Sequence, residues 1–208
     1  MMRVDVHVLH CYEPKQWLDG ALLSLENEPV NVLLCPGIPG RVGLARAKAF
    51  RQGSAEYVAW VDGDDEVMPG AFNAALEILD SRPDVVSTYC DIQLLGHPDG
   101  VGYIKAPWNP SAQLHAMAEV HHLHVMRRSA IMRCIDELER WDGYEEYVLM
   151  GLLCRYGVHY HIPRRLYRFR QHNRYHRAGM IGGERMRRDA VRKVTPILAP
   201  LIAAGIKQ

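Results

Sequence analysis

The chain has 208 residues, 48% of them hydrophobic, with 25 Lys and Arg against 24 Asp and Glu. That is enough for one sizeable core and reads as an ordinary globular chain of one domain. Five cysteines (Cys11, Cys35, Cys90, Cys134, Cys154) are scattered and odd in number with no CxxC, which reads as a reduced, cytoplasmic chain with inert buried thiols. The net charge of +1 hides an asymmetry. From Arg155 to Lys193 there are eleven Arg and one Lys against two acids, Glu184 and Asp189, so this stretch is net +10 and the remainder is acidic. A basic stretch of this kind fits an anionic partner (phosphate groups, nucleic acid or anionic lipid), against the plainer reading of a solvated basic helix.

Val4, Val6 and Val8 alternate and predict a first strand over Arg3–His10, not a signal peptide. After Pro14, Trp17, Ala21, Leu22 and Leu25 recur at helical spacing. Val30–Leu34 is a short apolar strand, Cys35–Gly40 ("CPGIPG") a loop, Leu44–Gln52 an Ala-rich helix and Glu56–Val61 a strand. An acidic turn follows, and then Pro69 and the stripe Phe72, Ala75, Leu76, Leu79 mark a helix. Val85–Leu94 reads as strand, and Gly96–Pro110, rich in Gly and Pro, as a loop long enough to be a functional lid. His121–Met126 reads as a strand, Ser129–Leu138 as a helix capped by Ser129, and Glu145–Arg155 as a helix. Val158–Ile162 and Leu166–Arg170 read as two short strands. The tail Val194–Ile206 is broken by Pro196 and Pro200 and falls short of the ~18–20 apolar residues a span needs; it reads as a helix docking on the body, with membrane-surface contact as the minor alternative. Alternating strands and helices predict a mostly parallel sheet with covering helices, whose ligands gather at the carboxyl ends of its strands.

The acidic turn, "AWVDGDDE", lies at such an end. Carboxylates two residues apart, Asp62 and Asp64 around Gly63, can converge on one hard cation such as Mg²⁺ or Mn²⁺, which also takes phosphate oxygens. The bland alternative is a polar turn capping the next helix, though a structural turn needs only one acid. His121, His122 and His124 mimic a zinc cluster, but alternate residues on a strand face opposite ways, which favours strand histidines lining the cleft.

The stretch "ARAKAFRQGSAEYVAWVDGDDEVMPGAF" resembles the central signature of family 2 glycosyltransferases with the GT-A fold, "ARN.G...A.GEY...LD.DD...P". Ala45-Arg46, Ala55-Glu56-Tyr57, Asp62, Asp64, Asp65 and Pro69 match without a gap, and the family's Asn is Ala47. "YEEYVLMGLLCRYGVHYHIPRRLYRFRQH" is similar to the family's "GEDYDLWLRLLRRGY....P..LYRYR.H", and "VMRRSAI" to its "FRRSAL". The resemblance spans roughly residues 3–176 and implies a GT-A domain over residues 1–180, with a nucleotide-sugar half (1–95), a small mixed acceptor half (96–180) and a C-terminal helical tail (181–208).

It further implies an inverting transfer from a nucleoside-diphosphate sugar to a hydroxyl. Asp64 would hold a divalent cation, Mn²⁺ or Mg²⁺, with Asp62 near ribose or metal and His172 completing the site. Glu146, where the family has Asp, would be the general base, with Glu145 next in line. Such chemistry needs cationic help for the leaving diphosphate and a base for the acceptor. Arg46 and Arg41 would contact donor phosphate and Glu13 the nucleoside, and Arg168, Arg170 and Arg174 phosphate or acceptor. The family's nucleobase-reading acid has no counterpart in "CPGIPG", so base recognition falls to backbone or other side chains. The acceptor is expected to be a saccharide or lipid-linked saccharide. A hydroxymethylated base in bacteriophage DNA is the alternative, because "RRLYRFRQHNRYHR" mixes Arg and Tyr as nucleic-acid surfaces do. A non-catalytic nucleic-acid-binding module would leave Asp62, Asp64 and Glu146 idle, and a nucleotidyltransferase would want a Gly-rich loop where "HCYEPKQW" stands.

Overall fold

The computed structural model describes residues 2–98, 101–117, 119–171 and 183–206. His172 and Arg174 lie outside them. The elements run β1 (Val4–His10), α1 (Lys15–Leu25), β2 (Val30–Pro36), α2 (Val42–Phe50), β3 (Tyr57–Asp62), β4 (Glu66–Val67), α3 (Ala71–Ser81), β5 (Val85–Leu95), β6 (Gly102–Tyr103), α4 (Pro110–His115), β7 (Val125–Arg127), α5 (Arg128–Leu138), α6 (Glu145–Leu153), β8 (Val158–Arg170) and α7 (Gly183–Ala203).

One sheet carries them in the order β2-β1-β3-β7-β5-β8-β4, with β6 on β5. The long neighbours β2-β1-β3 and β5-β8 are parallel, whereas β7 runs antiparallel to both β3 and β5. That reversal decides where the site forms. Because β7 points the other way, the segment before it emerges at the edge where β3 ends.

Alternation builds the two faces. Val4, Val6, Val8, Tyr57, Ala59 and Val61 pack with Leu25, Phe72 and Leu79 of α1 and α3. Val58, Trp60, Val86 and Met126 pack on the other face with residues of α2, α5, α6 and α7, among them Phe50, Ile131, Leu149 and Val194. Helix α7 docks as expected, burying Ala190, Val194, Ile197 and Leu198 although Pro196 and Pro200 lie within it. At Gly151 of α6 an added Cβ would press on both methyls of Val194, so this helix contact requires glycine. No helix among the described residues is long and apolar enough to cross a membrane.

Several predicted elements are revised. His121–Met126 is not a strand, since only Val125–Arg127 pairs. Helix α5 begins at Arg128, and Ser129 makes no capping bond. Instead the two arginines at its start anchor the chain: Arg127 donates to the carbonyls of Leu79, Arg82 and Val85, and Arg128 to those of Phe50 and Ala55. The two expected strands after Val158 are one, because Pro163 and Arg164 drop out of the ladder where partners step from Cys90↔Ile162 to Asp91↔Arg165. Proline is tolerated there because a bulge needs no ladder donor. The loop Gly96–Pro110 is tied down: β6 pairs with β5, Tyr89 Oη donates to the Ala106 carbonyl at 2.6 Å, and Trp108 is buried, donating to Gln113 Oε1 at 2.7 Å. Helix α4 is an additional element, and Asn109-Pro110 starts it in the ordinary way, with the Asn109 side chain accepting from the N–H groups of Ser111 and Ala112.

Candidate active site

The centre is Arg46 on α2. Its guanidinium is buried on the face of Trp60, 4.4 Å from the ring centroid. It lies between carboxylates from two places in the chain: Asp62 at the end of β3 (3.6 Å), and Glu145 (3.3 Å) and Glu146 (3.7 Å) in the first turn of α6. Tyr144, before α6, has φ 57. A left-handed tyrosine is uncommon and costs of order 1–3 kcal/mol, and here it turns the two glutamates inward. The helix N-terminus further favours their charge.

Glu146 is held on its other side by two histidines. His121 Nδ1 and His124 Nε2 lie 2.6 Å and 2.8 Å from Glu146 Oε1. Burial works against ionising Glu146, but the charge and hydrogen bonds of His121, the bond from His124 and nearby His122 outweigh it and hold the carboxyl well below its usual range. Glu145, lacking such partners, is pushed upward by burial, with Arg46 opposing and Glu146 adding to the shift. Burial pushes the pKa of His124 and, further, that of His122 down, which favours the neutral imidazole.

The acidic turn divides its labour. Asp65 is buried and points into the protein, accepting from Tyr167 Oη at 2.8 Å and the Arg170 N–H at 2.7 Å. Burial raises its pKa far above the ordinary value, and the neighbouring Asp62 and Asp64 charges add to the rise. Asp62 faces the cleft, and its carboxyl is pushed up to about 6 by burial, against Arg46 and with Asp64 and Glu146. Asp64 accepts from Arg170 Nε through its backbone carbonyl, 2.8 Å. Gly63 is needed for close approach: a Cβ there would come within 2.5 Å of Glu13 Oε1 and 2.9 Å of the Leu9 carbonyl.

Among the described residues, two groups offer ligand atoms all within 4.8 Å of one another: Asp62, Asp65 and His122, and His121, His122 and Glu146. Asp64 belongs to neither. The donor set of carboxylates and neutral imidazole suits a divalent cation, and three acids within four positions are relieved by one.

The structure thus brings Asp62, Arg46, Glu145 and Glu146 together. The other expected residues stand around them. Arg41 pairs with Asp142 at 2.6 Å. Glu13 accepts from the N–H groups of Cys11 and Tyr12 and packs under the acidic turn. Arg168 and Arg170 reach Glu66 at 3.3 Å and 3.7 Å, and Arg170 lies over Trp17. The histidines do line the cleft, but from an irregular segment, so they converge where a strand would have divided them. Sequence reasoning missed their grip on Glu146, the Trp60 platform, Tyr167, and Lys105. Lys105 sits in the field of Glu119, Glu146 and Asp91, and burial lowers its pKa.

No protein-family model and no curated protein matches the chain. Solved structures do. Staphylococcus aureus TarS superposes with a TM-score of 0.64 at 15% identity over 82% of this chain and 37% of TarS. Its 1–349 portion, in complex with UDP-GlcNAc, gives 0.65 at 13% identity over 97% of this chain and 66% of that one. The portion bound to UDP gives 0.61 at 13% identity. The chain therefore spans about a third of TarS, and at these identities the likeness establishes the fold, a GT-A-type α/β sheet flanked by helices.

Proposed function

We propose that this chain is an inverting glycosyltransferase that moves a sugar from a nucleoside diphosphate to a hydroxyl acceptor, with a divalent cation, Mn²⁺ or Mg²⁺, at the acidic turn. The carrying observation is one buried guanidinium shared by Asp62, Glu145 and Glu146 at the carboxyl edge of the sheet. The TarS structures in complex with UDP-GlcNAc and with UDP support a sugar nucleotide as donor.

In this reading Asp62 and Asp64, with His172, hold the cation, which supplies positive charge to the leaving diphosphate. Arg46 fixes the two carboxylate sets relative to each other. Glu146 takes the acceptor's proton. His121 and His124 occupy its Oε1 and hold it ionised across the neutral range, leaving Oε2 to accept. The acceptor oxygen then bonds to the anomeric carbon as the bond to the diphosphate oxygen breaks, with one inversion. Arg41 and Glu13 flank the donor side, and Arg168, Arg170 and Arg174 the phosphate or acceptor side.

The acceptor is a saccharide or lipid-linked saccharide. One observation favours a polyanionic acceptor such as a modified DNA base instead: Arg187, Arg188, Arg192 and His115 line a groove of about 350 Å³ between α4 and α7. Incubating sugar nucleotides with MnCl₂ and following diphosphate release tests the reading. Parent protein should release nucleoside diphosphate, and Glu146→Gln should lower kcat by about 10²–10⁴-fold with donor binding retained. Equal turnover by Glu146→Gln would remove the base assignment.

A further inference from the structure

Five histidines are buried among the described residues, and four find hydrogen-bond partners. His7 reaches the carbonyls of Ala59 and Gln52, and His159 reaches Ser87 Oγ and the Met150 carbonyl. His124 Nε2 reaches Glu146, and His161 Nε2 reaches Asp91. His122 is 2% exposed and makes no hydrogen bond through either ring nitrogen. Its Nδ1 is enclosed without a partner, and its Nε2 stops 3.8 Å from Asp62 Oδ2.

Packing alone does not explain the residue, because a phenyl ring would fill the place without orphaned nitrogens. The ring is nevertheless held firmly. It stacks on Tyr167 at 4.6 Å and 8°, with Phe169 at 6.1 Å and the edge of Trp60 at 6.3 Å. Tyr167 is also the residue that fixes Asp65. One side chain therefore sets both the imidazole and the acidic turn.

The gap to Asp62 has a meaning of its own. At 3.8 Å it is too long for a hydrogen bond. Two ligands about 2.0–2.2 Å from one cation lie about 3.0–3.5 Å apart, so the pair stands close to the edge of a coordination shell. His122 is also the member common to both candidate ligand groups.

We propose that His122 is a nitrogen ligand, through Nε2, of the divalent cation that Asp62 holds. The inference rests on the cation reading above and adds a ligand that the acidic turn does not contain. Its consequence is selectivity. Imidazole nitrogen suits transition ions over Mg²⁺, so Mn²⁺, Co²⁺ and Zn²⁺ should bind more tightly than Mg²⁺.

The test uses the full chain, stripped with chelator, and MnCl₂ alone. Pulsed electron paramagnetic resonance should show nitrogen coupling to bound Mn²⁺ in the parent. His122→Gln should remove one nitrogen coupling, leaving only that of His172, and weaken Mn²⁺ by roughly tenfold or more. His122→Phe keeps the stack on Tyr167 and serves if His122→Gln does not melt cooperatively. No Mn²⁺ binding by the parent, no nitrogen coupling, or coupling and affinity unchanged in the variant would each overturn the assignment. A nitrogen coupling lost on His122→Gln, in a protein that binds no sugar nucleotide, would uphold this ligand and sink the transferase reading. Sugar-nucleotide turnover without nitrogen coupling would do the reverse.

Discussion

Replacing Arg46 with Met keeps most of the packing on Trp60 but removes the cation shared by three carboxylates at 3.3–3.7 Å. At an effective dielectric near 20, each such contact is about 4–5 kcal/mol of gross attraction. Desolvation of the buried ions offsets much of it, and deleting one partner of a buried pair costs about 3–5 kcal/mol. Glu146 keeps its two histidines, so the burden falls on Glu145 and Asp62. For a chain of this size the melting temperature should drop by about 6–20 °C at pH 7.5, read by differential scanning fluorimetry. Glu145 is already pushed upward, so its ionised form is the destabilised one and protonation relieves it. The gap between parent and variant should therefore narrow as pH falls towards 5. Adding Glu145→Gln to the variant should recover part of the loss at pH 7.5. A variant that melts within about 2 °C of the parent, or whose deficit is the same at pH 5 and 7.5, refutes the reasoning.

Asp5 is buried and accepts from Asn31, the Ala55 N–H and Arg128, and these bonds outweigh burial and lower its pKa below 3.8. A depressed carboxyl stabilises the fold above its ordinary pKa and loses that contribution as pH falls through the lowered value. Asp5→Asn should cost about 3–5 kcal/mol by urea unfolding at pH 7, with the deficit shrinking only below pH 4 or so. Gly151→Ala should destabilise by about 1–3 kcal/mol and speed tryptic cleavage of α7, because the new methyl meets Val194. Combining it with Val194→Ala should reverse part of the cleavage.

What was legible in the sequence was what local pattern carries. Val4, Val6 and Val8 alternate because one face of β1 is apolar, and Asp62 to Asp65 stand out because an apolar strand stops in acid. The rest depended on distant partners. A two-residue period predicts a strand for the histidine segment, yet its backbone meets β5 chiefly through Cys90, whose N–H donates to the His122 carbonyl at 3.2 Å. Its side chains follow Glu146 and Tyr167, 22–45 positions onward. Ser129 looked like a cap, but Arg127 and Arg128 fix the helix start through carbonyls up to 78 positions away. Asp64 and Asp65 look alike in sequence. Only the last strand shows that Asp65 is spent inside the protein.

That last strand also sets a time order. Asp65 waits on Tyr167 and Arg170, which lie 102 and 105 residues downstream. A nascent chain that has reached only α3 already holds Arg46, the partner of Asp62, but has neither of the donors that fix Asp65. The turn becomes a defined object once β8 has been synthesised and paired, after the closure of a long loop. Whatever those acids bind is therefore met by chains whose sheet is complete, and a product ending before residue 158 carries the acidic motif without the means to shape it.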